Sequence, residues 1–212
     1  LRLDARELVA LHQAVARDVR VTRATDQLDD VVDVLDRDQE ALEDVEAGLS
    51  DGSFGMAEET GSEMNAAIVA AARASQGMGE GLARALARRK ELPGAEASIL
   101  LAAERHDVPV TVHAAIGAEI IHQHPAADGA AIGATSHLDF RRLAASIPDL
   151  HQGGVVLNCG SAVLMPEIFL KALTVARNLE GGIPTHFTAA DFDMQRHYRP
   201  RVNVVQRPTR EG

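Results

Sequence analysis

GGVVLNCGSAVLMPEIFLKALTVARNLE, residues 153–180, decides the fold. Val155, Val156 and Leu157 are apolar at consecutive positions, as in a short strand covered on both faces rather than one alternating between core and water. The small residues of NCGSA follow. After them runs a helical pattern with Pro166 near its start, where proline is tolerated because that N–H has no intrahelical partner. Strand, tight turn and helix form the unit of an α/β layer structure with a mostly parallel sheet. Small residues in such a turn let a ligand approach the backbone N–H groups at the helix N-terminus, where the dipole favours phosphate or another anion. The same residues would serve a turn that only has to pack, and no GxGxxG accompanies them, so both readings stay open.

Outward from this unit, helical and strand patterns alternate. Upstream, a helix over Gly94–Arg105 runs into the β-branched VPVTVH, residues 108–113, read as a buried strand. A second helix, His137–Ser146, precedes GGVVLN. Downstream, HFTAADFD (186–193) and RVNVV (201–205) read as the last strands. A further helix is expected from Ala57 to Ala74, after the turn at Asp51-Gly52. Residues 1–46 have a different texture, with no Gly, Pro or aromatic residue and an Asp/Val-rich tract. Its apolar positions Leu28, Val31, Val32, Leu35, Leu42 and Val45 follow a loose helical period. The expected organisation is a helical N-terminal arm over residues 1–48 and an α/β domain over 49–212. Because the chain begins at Leu1, the arm is expected to be atypical or truncated.

Composition narrows the function classes. With 212 residues, 46% of them hydrophobic, the chain can bury a full core. Its 21 Lys and Arg against 31 Asp and Glu give a net charge of -10. This opposes binding to nucleic acid or acidic membranes and suits cationic small molecules. Cys159 is the single cysteine, which excludes an intrachain disulfide and, with no signal-like or long apolar run, leads to the expectation of a cytoplasmic protein. Cys159 itself reads as a small apolar filler or, from its place before a helix, as a reactive thiol of lowered pKa.

Residues 94–208 contain the phrases HQHP (122–125), DGAAIG (128–133) and FDMQRHYRPRVNVV (192–205). In these the chain resembles deoxyhypusine synthase, and most closely a bacterial branch of that family. The resemblance implies a Rossmann-like fold, NAD as cofactor, an amine or polyamine substrate and a homotetramer. It places Gly160, Ser161 and Ala162 where the family has glycines touching the dinucleotide. Thr188, Ala189, Phe192 and Asp193 correspond to the "TAQEFD" element that lines the NAD site, and His122 to a histidine near the polyamine. Three departures accompany it. The family's imine-forming lysine follows the "EFD" element, whereas this chain has only Lys90 and Lys171. Glu119 is out of register with the family's substrate-binding aspartate. Residues 1–46 also lack the family's glycine-bearing cofactor segment. Hydride transfer on an amine is therefore expected, and aminobutyl transfer to a protein lysine is not.

Two dense constellations remain. VTVHAAIGAEIIHQHPAADGAAIG (110–133) holds three histidines in an apolar run. On a strand, His122 and His124 would share a face and, with His113, offer three nitrogens to zinc, which would make a metal-dependent hydrolase. The resemblance favours instead a catalytic, substrate-facing His122 backed by His124 and Glu119, with residues 126–133 as a loop over the pocket. DFDMQRHYRPR (191–201) contains Asp191, Asp193, Arg196, His197, Tyr198, Arg199 and Arg201. These either pair with one another at the surface or form a site edge. In the second case Asp193 anchors a ribose or amine, Arg199 or Arg201 holds an anion, and Tyr198 acts as acid or base. His122, Asp193 and the Gly160-Ser161 turn are expected to converge at the carboxyl ends of the strands. A noncatalytic, oligomeric nucleotide-binding protein is the remaining alternative.

Overall fold

The computed structural model describes residues 58–89, 92 and 94–210. The expected arm lies outside the described residues. Helix α1, Glu58–Arg73, opens with Glu58 and Glu59 and closes with Arg73, each charge opposing its end of the helix dipole. Gly61, Asn65, Ile68 and Ala71 form its buried face. Helix α2 spans Met78–Ala87 and α3 Ile99–Arg105, the latter capped by the Ser98 hydroxyl, which accepts the Leu101 N–H.

Helix α4, Gly129–Ser146, begins well before the expected His137. Asp128 causes this: its Oδ1 accepts the N–H groups of Ala130 (2.9 Å) and Ala131 (3.1 Å). A cap of this strength followed by alanines starts a helix. Residues 129–133 are therefore its first turns, which corrects the expected pocket loop.

Strand β1, Val155–Cys159, helix α5, Leu164–Leu179, and strand β2, Thr188–Phe192, form the expected unit. The strands are parallel, with Val155 opposite Thr188 and Cys159 opposite Phe192. They are the only two strands among the described residues. The fold is thus mixed α/β, mostly helical, with a small parallel sheet. Nor is the sheet covered on both sides as expected: Val155, Leu157 and Phe192 are 52%, 56% and 58% exposed. Alternation puts these three on one face, while Val156 and Ala189 on the other pack into the core.

Two expected strands are absent for identifiable reasons. Residues 108–113 carry no ladder. The Val112 N–H is taken by Asp139 Oδ2 (2.9 Å), the Val112 carbonyl by the Ser136 hydroxyl (3.1 Å), and the Ala114 N–H by the same hydroxyl (2.9 Å). Side chains of α4 thus do what a neighbouring strand would. RVNVV instead lies in a π-helical turn, Pro200–Gln206, with Val202, Asn203 and Val204 buried in succession. Successive burial is the pattern that periodicity alone cannot assign to strand or helix.

Two hydrophobic clusters result. One joins Ala144, Ile147, Phe169, Leu173, Phe187 and Val204, with the rings of Phe169 and Phe187 edge to face at 6.4 Å. The other joins Ile68, Met78, Ile121, Ala131 and Ile132. Helix α4 contributes to both. The start of α2 reaches α4 through Asp139, which is fully buried and accepts the Gly79 N–H at 2.9 Å. A Cβ at Gly77 would collide with that carboxylate, and one at Gly79 with the Val110 carbonyl. No helix among the described residues is long and apolar enough to cross a membrane.

Candidate functional site

The carboxyl ends of β1 and β2 carry the most developed arrangement. Asn158, 6% exposed, stands opposite Asp191 in the register. Its amide donates to Asp191 Oδ1 at 2.7 Å and to the Ser161 carbonyl at 3.0 Å, tying both strands to the turn between β1 and α5. Gly160 has φ +67, a left-handed conformation suited to glycine, and its N–H donates to the Phe192 carbonyl at 2.9 Å. Apart from the glycine itself and its chain neighbours, no atom lies within 4 Å of where its Cβ would be, so there is open space beside the backbone there. The Ser161 hydroxyl accepts the Met165 N–H in the first turn of α5 (3.1 Å).

Along β1 runs a cleft of about 470 Å³, with Asn158, Cys159 and Ser161 at one end and Leu143, Met165 and Phe169 among its walls. No charged side chain lines it. Such a cleft accepts a flat, neutral ring more readily than an ion.

The expected cofactor residues fall on both ends of the sheet. Gly160, Ser161 and Ala162 form the turn, and Asp193 follows β2 at the same end. Thr188 pairs with Val155 at the opposite end, four residues away, or about 13 Å along a strand. It therefore does not belong with the turn. Asp193 accepts the Gln195 N–H at 3.1 Å and sits 3.9 Å from His197 Nε2. Arg199 pairs with neither aspartate but with Glu167 of α5, at 3.3 Å. Glu167 also accepts from Lys171 and from the Asn203 amide (2.8 Å). The Lys171 hydrogen bond, helped by Arg199, holds the Glu167 carboxyl below its ordinary range. Tyr198 is exposed, with the Arg201 guanidinium 5.9 Å from its ring centre. None of Asp193, Tyr198, Arg199 and His122 lines the cleft.

The histidines do not share a strand face. Residues Ile120–Gln123 form a 3₁₀ turn that packs against α1, in the second hydrophobic cluster. His124 is buried, with Nδ1 accepting the Ala126 N–H (3.1 Å) and Nε2 donating to Glu58 (3.0 Å). Both ring nitrogens are occupied, so His124 holds α1 to this turn rather than a substrate. His122 Nδ1 accepts the Gly117 N–H at 3.0 Å, which places its proton on Nε2. Glu119 Oε2 lies 3.1 Å from that same Nδ1, and the two lone pairs form no bond in this tautomer. Glu119 is held through Oε1, which accepts the Ala115 N–H at 3.0 Å. Among the described residues no three His, Cys, Asp or Glu side chains are grouped as a metal ion would require, so the alternative of a zinc triad from His113, His122 and His124 has no geometric support.

His113 bonds to the Thr111 hydroxyl at 3.0 Å. Burial lowers its pKa from 6.5, opposed by the nearby Asp139 charge. Because the unfolded chain then binds the proton more readily, His113 makes stability fall as pH drops through the unfolded value. In urea titrations from about pH 7.5 to about pH 5, His113→Gln is expected to show a shallower loss of stability on acidification than the parent. Parallel profiles would refute the assignment.

Two residues central to this geometry, Asn158 and Asp139, did not stand out in the sequence as site residues. Asn158 lies inside the NCGSA turn, where small residues draw the attention. The one sequence signal for Asp139 is a carboxylate between Leu138 and Phe140 on a helix. No family model, no curated protein and no solved structure matches the chain.

Proposed function

We propose that the crevice at the carboxyl ends of β1 and β2 is the nucleotide site of a Rossmann-like unit. The protein would then be an NAD-dependent enzyme resembling deoxyhypusine synthase, one that moves a hydride to or from an amine without a covalent lysine. The observation that carries this reading is the Asn158 tie between Asp191 and the open Gly160-Ser161 turn. In open α/β sheets, ligands bind outside the carboxyl ends of the strands.

The residues present fit the nucleoside part of NAD better than its phosphates. Leu157, Met165 and Phe169 offer apolar walls to a ring, and Asn158 and Ser161 offer polar groups beside them. At the start of α5, Ser161 already takes the Met165 N–H, Pro166 has none, and Glu167 donates to the Val163 carbonyl. Leu164 is left as the backbone donor of that turn for an anion. NAD, when bound, supplies a hydride acceptor for the carbon that bears the amine. Asp191 and Asp193 would attract the ammonium group and hold it near the ring. His122 and His124 take no part in this reading. Cytoplasmic location and assembly into a homo-oligomer belong to the same proposal.

Calorimetric titration of the full chain with NAD tests it. We expect binding that weakens about tenfold in Asn158→Ala, equivalent to one hydrogen bond, and less in Ser161→Ala. His122→Ala should bind as the parent does. Absence of binding to a folded parent, or equal affinity in all four proteins, would overturn the nucleotide reading.

A further inference from the structure

Glu119 Oε2 is buried and, among the described residues, has no hydrogen-bond donor. Its neighbour at 3.1 Å is His122 Nδ1, which accepts the Gly117 N–H at 3.0 Å. One nitrogen is thus claimed from two sides, by a donor that needs its lone pair and by a carboxylate that needs a proton on it. It can satisfy only one of them at a time. The His122 side chain is 8% exposed, so little water reaches the ring, whereas Gly117 is exposed and its N–H is hydrated once released. Three hydrogen bonds hold the turn to which Gly117 belongs. The Ala118 N–H donates to the Ala115 carbonyl (2.8 Å), the Ala115 N–H to Glu119 Oε1 (3.0 Å), and the Gly117 N–H to His122. Ile116, in the same turn, is exposed and forms one wall of a cleft of about 290 Å³ with His113, Ile132, His137 and Phe140. This cleft shares no residue with the one along β1.

We infer that His122 and Glu119 form a proton-driven latch on the turn from Ala115 to Glu119, closed while the imidazole is neutral and released when it becomes an imidazolium. In the neutral ring the proton is on Nε2 and Nδ1 holds Gly117. A second proton can go only to Nδ1, where it is donated to the carboxylate oxygen beside it. The Nδ1–H and the Gly117 N–H then face each other as two donors, so the Gly117 bond breaks and Ile116 is free to move from the wall of its cleft. Glu119 keeps the Ala115 N–H through Oε1 in both states. The other charges near the ring have partners of their own. Among the described residues Glu119 is the one carboxylate within 4.0 Å of a His122 ring nitrogen. On α1, which packs against the 3₁₀ turn, Glu58 is paired with His124 and Glu63 with Arg89, and Glu59 is exposed. On α4 and α2, which meet the same hydrophobic cluster, Asp128 caps its helix and Glu80 is held by Arg84 and Arg142. His113 and His137 bring imidazoles of their own to the cleft.

Nuclear magnetic resonance of the full chain reads the latch directly. At about pH 8, where an imidazole is ordinarily neutral, we expect a nitrogen–nitrogen coupling across the hydrogen bond between Gly117 and His122 Nδ1. By about pH 5 it should be lost, in step with the ring nitrogen shifts of His122 and with movement of the Ile116 methyl signals. In Glu119→Gln the amide keeps the Ala115 N–H but sets an N–H donor where the carboxylate oxygen was, so an imidazolium there has nothing to donate to. The acid-induced change at Ile116 should then move at least about one pH unit toward acid. In His122→Asn the side-chain carbonyl can accept the Gly117 N–H at any pH, and the Ile116 signals should no longer follow acid. The inference is overturned if the neutral protein shows no Gly117–His122 coupling, or if the coupling persists once His122 carries both protons. It is also overturned if Ile116 responds to acid in His122→Asn as it does in the parent, which would assign the movement to His113 or His137.

Discussion

Asp139→Ala is expected to lower the stability of the folded chain by about 3–5 kcal/mol, read as a reduced midpoint in urea unfolding. One oxygen of this fully buried carboxylate accepts two N–H groups, from Gly79 at the start of α2 and from Val112 in the extended segment before α4. Alanine would leave both donors facing a space with no acceptor, and each such orphan costs about 1–3 kcal/mol. It would also remove the charge 3.8 Å from Arg142, leaving that guanidinium to its 2.8 Å contact with Glu80. Asp139→Asn separates these contributions. It keeps an acceptor for both N–H groups but places an uncharged group near Arg142, and the expected loss is about 2 kcal/mol. A domain of this kind has about 5–15 kcal/mol in total, so the alanine variant should be partly unfolded under mild denaturant. A loss below about 1 kcal/mol in Asp139→Ala would mean that the carboxylate does not join α2, the extended segment and α4.

Phe169→Ala is expected to have a comparable cost, about 3–5 kcal/mol, and a second consequence at the cleft. Phe169 is 6% exposed, packs edge to face on Phe187, and sits among Leu173, Val204 and Ile147. Truncation removes the ring and leaves a cavity that rigid neighbours from α4, α5 and the π-helical turn fill only in part. Phe169 also forms part of the cleft wall beneath β1. Its loss enlarges the space in which a nucleotide ring would be held, so NAD affinity should fall even at temperatures where the variant is folded. Phe169→Leu preserves most of the volume and should cost about 1.5 kcal/mol or less. If the alanine variant is destabilised but binds NAD as the parent does, Phe169 belongs to the core alone and the ligand sits nearer Asn158 and Asp191.

These two residues differ in how far the sequence announces them. Phe169 lies on a helical period with Ala172, Leu173 and Ala176, and its burial follows from that spacing. Asp139 has no such signal, because a carboxylate on a helix is ordinarily solvated. Only the arrival of two backbone N–H groups from segments 27 and 60 residues away makes its burial tolerable.

The same distinction runs through the molecule. The sequence by itself determined the elements whose cause is local. Helix α1, expected at 57–74, spans Glu58–Arg73, and the order strand, small-residue turn, helix, strand from Val155 to Phe192 is as read from apolar runs and turn residues. The early start of α4 was also local, written in the Asp128 cap, but a run of Gly and Ala reads equally as a loop. Tertiary structure alone decided the rest. VPVTVH has the composition of a strand, yet a strand needs a partner, and α4 takes its polar groups through Asp139 and Ser136. RVNVV is β-branched, yet burial against α5 and β2 selects a helical turn in which Asn203 reaches Glu167. His122 and His124 stand close together in sequence but belong to the α1 side of the molecule, away from the cleft at Ser161. Chain order sets which residues are neighbours along the backbone; which polar groups are satisfied, and by whom, is settled only when distant segments pack.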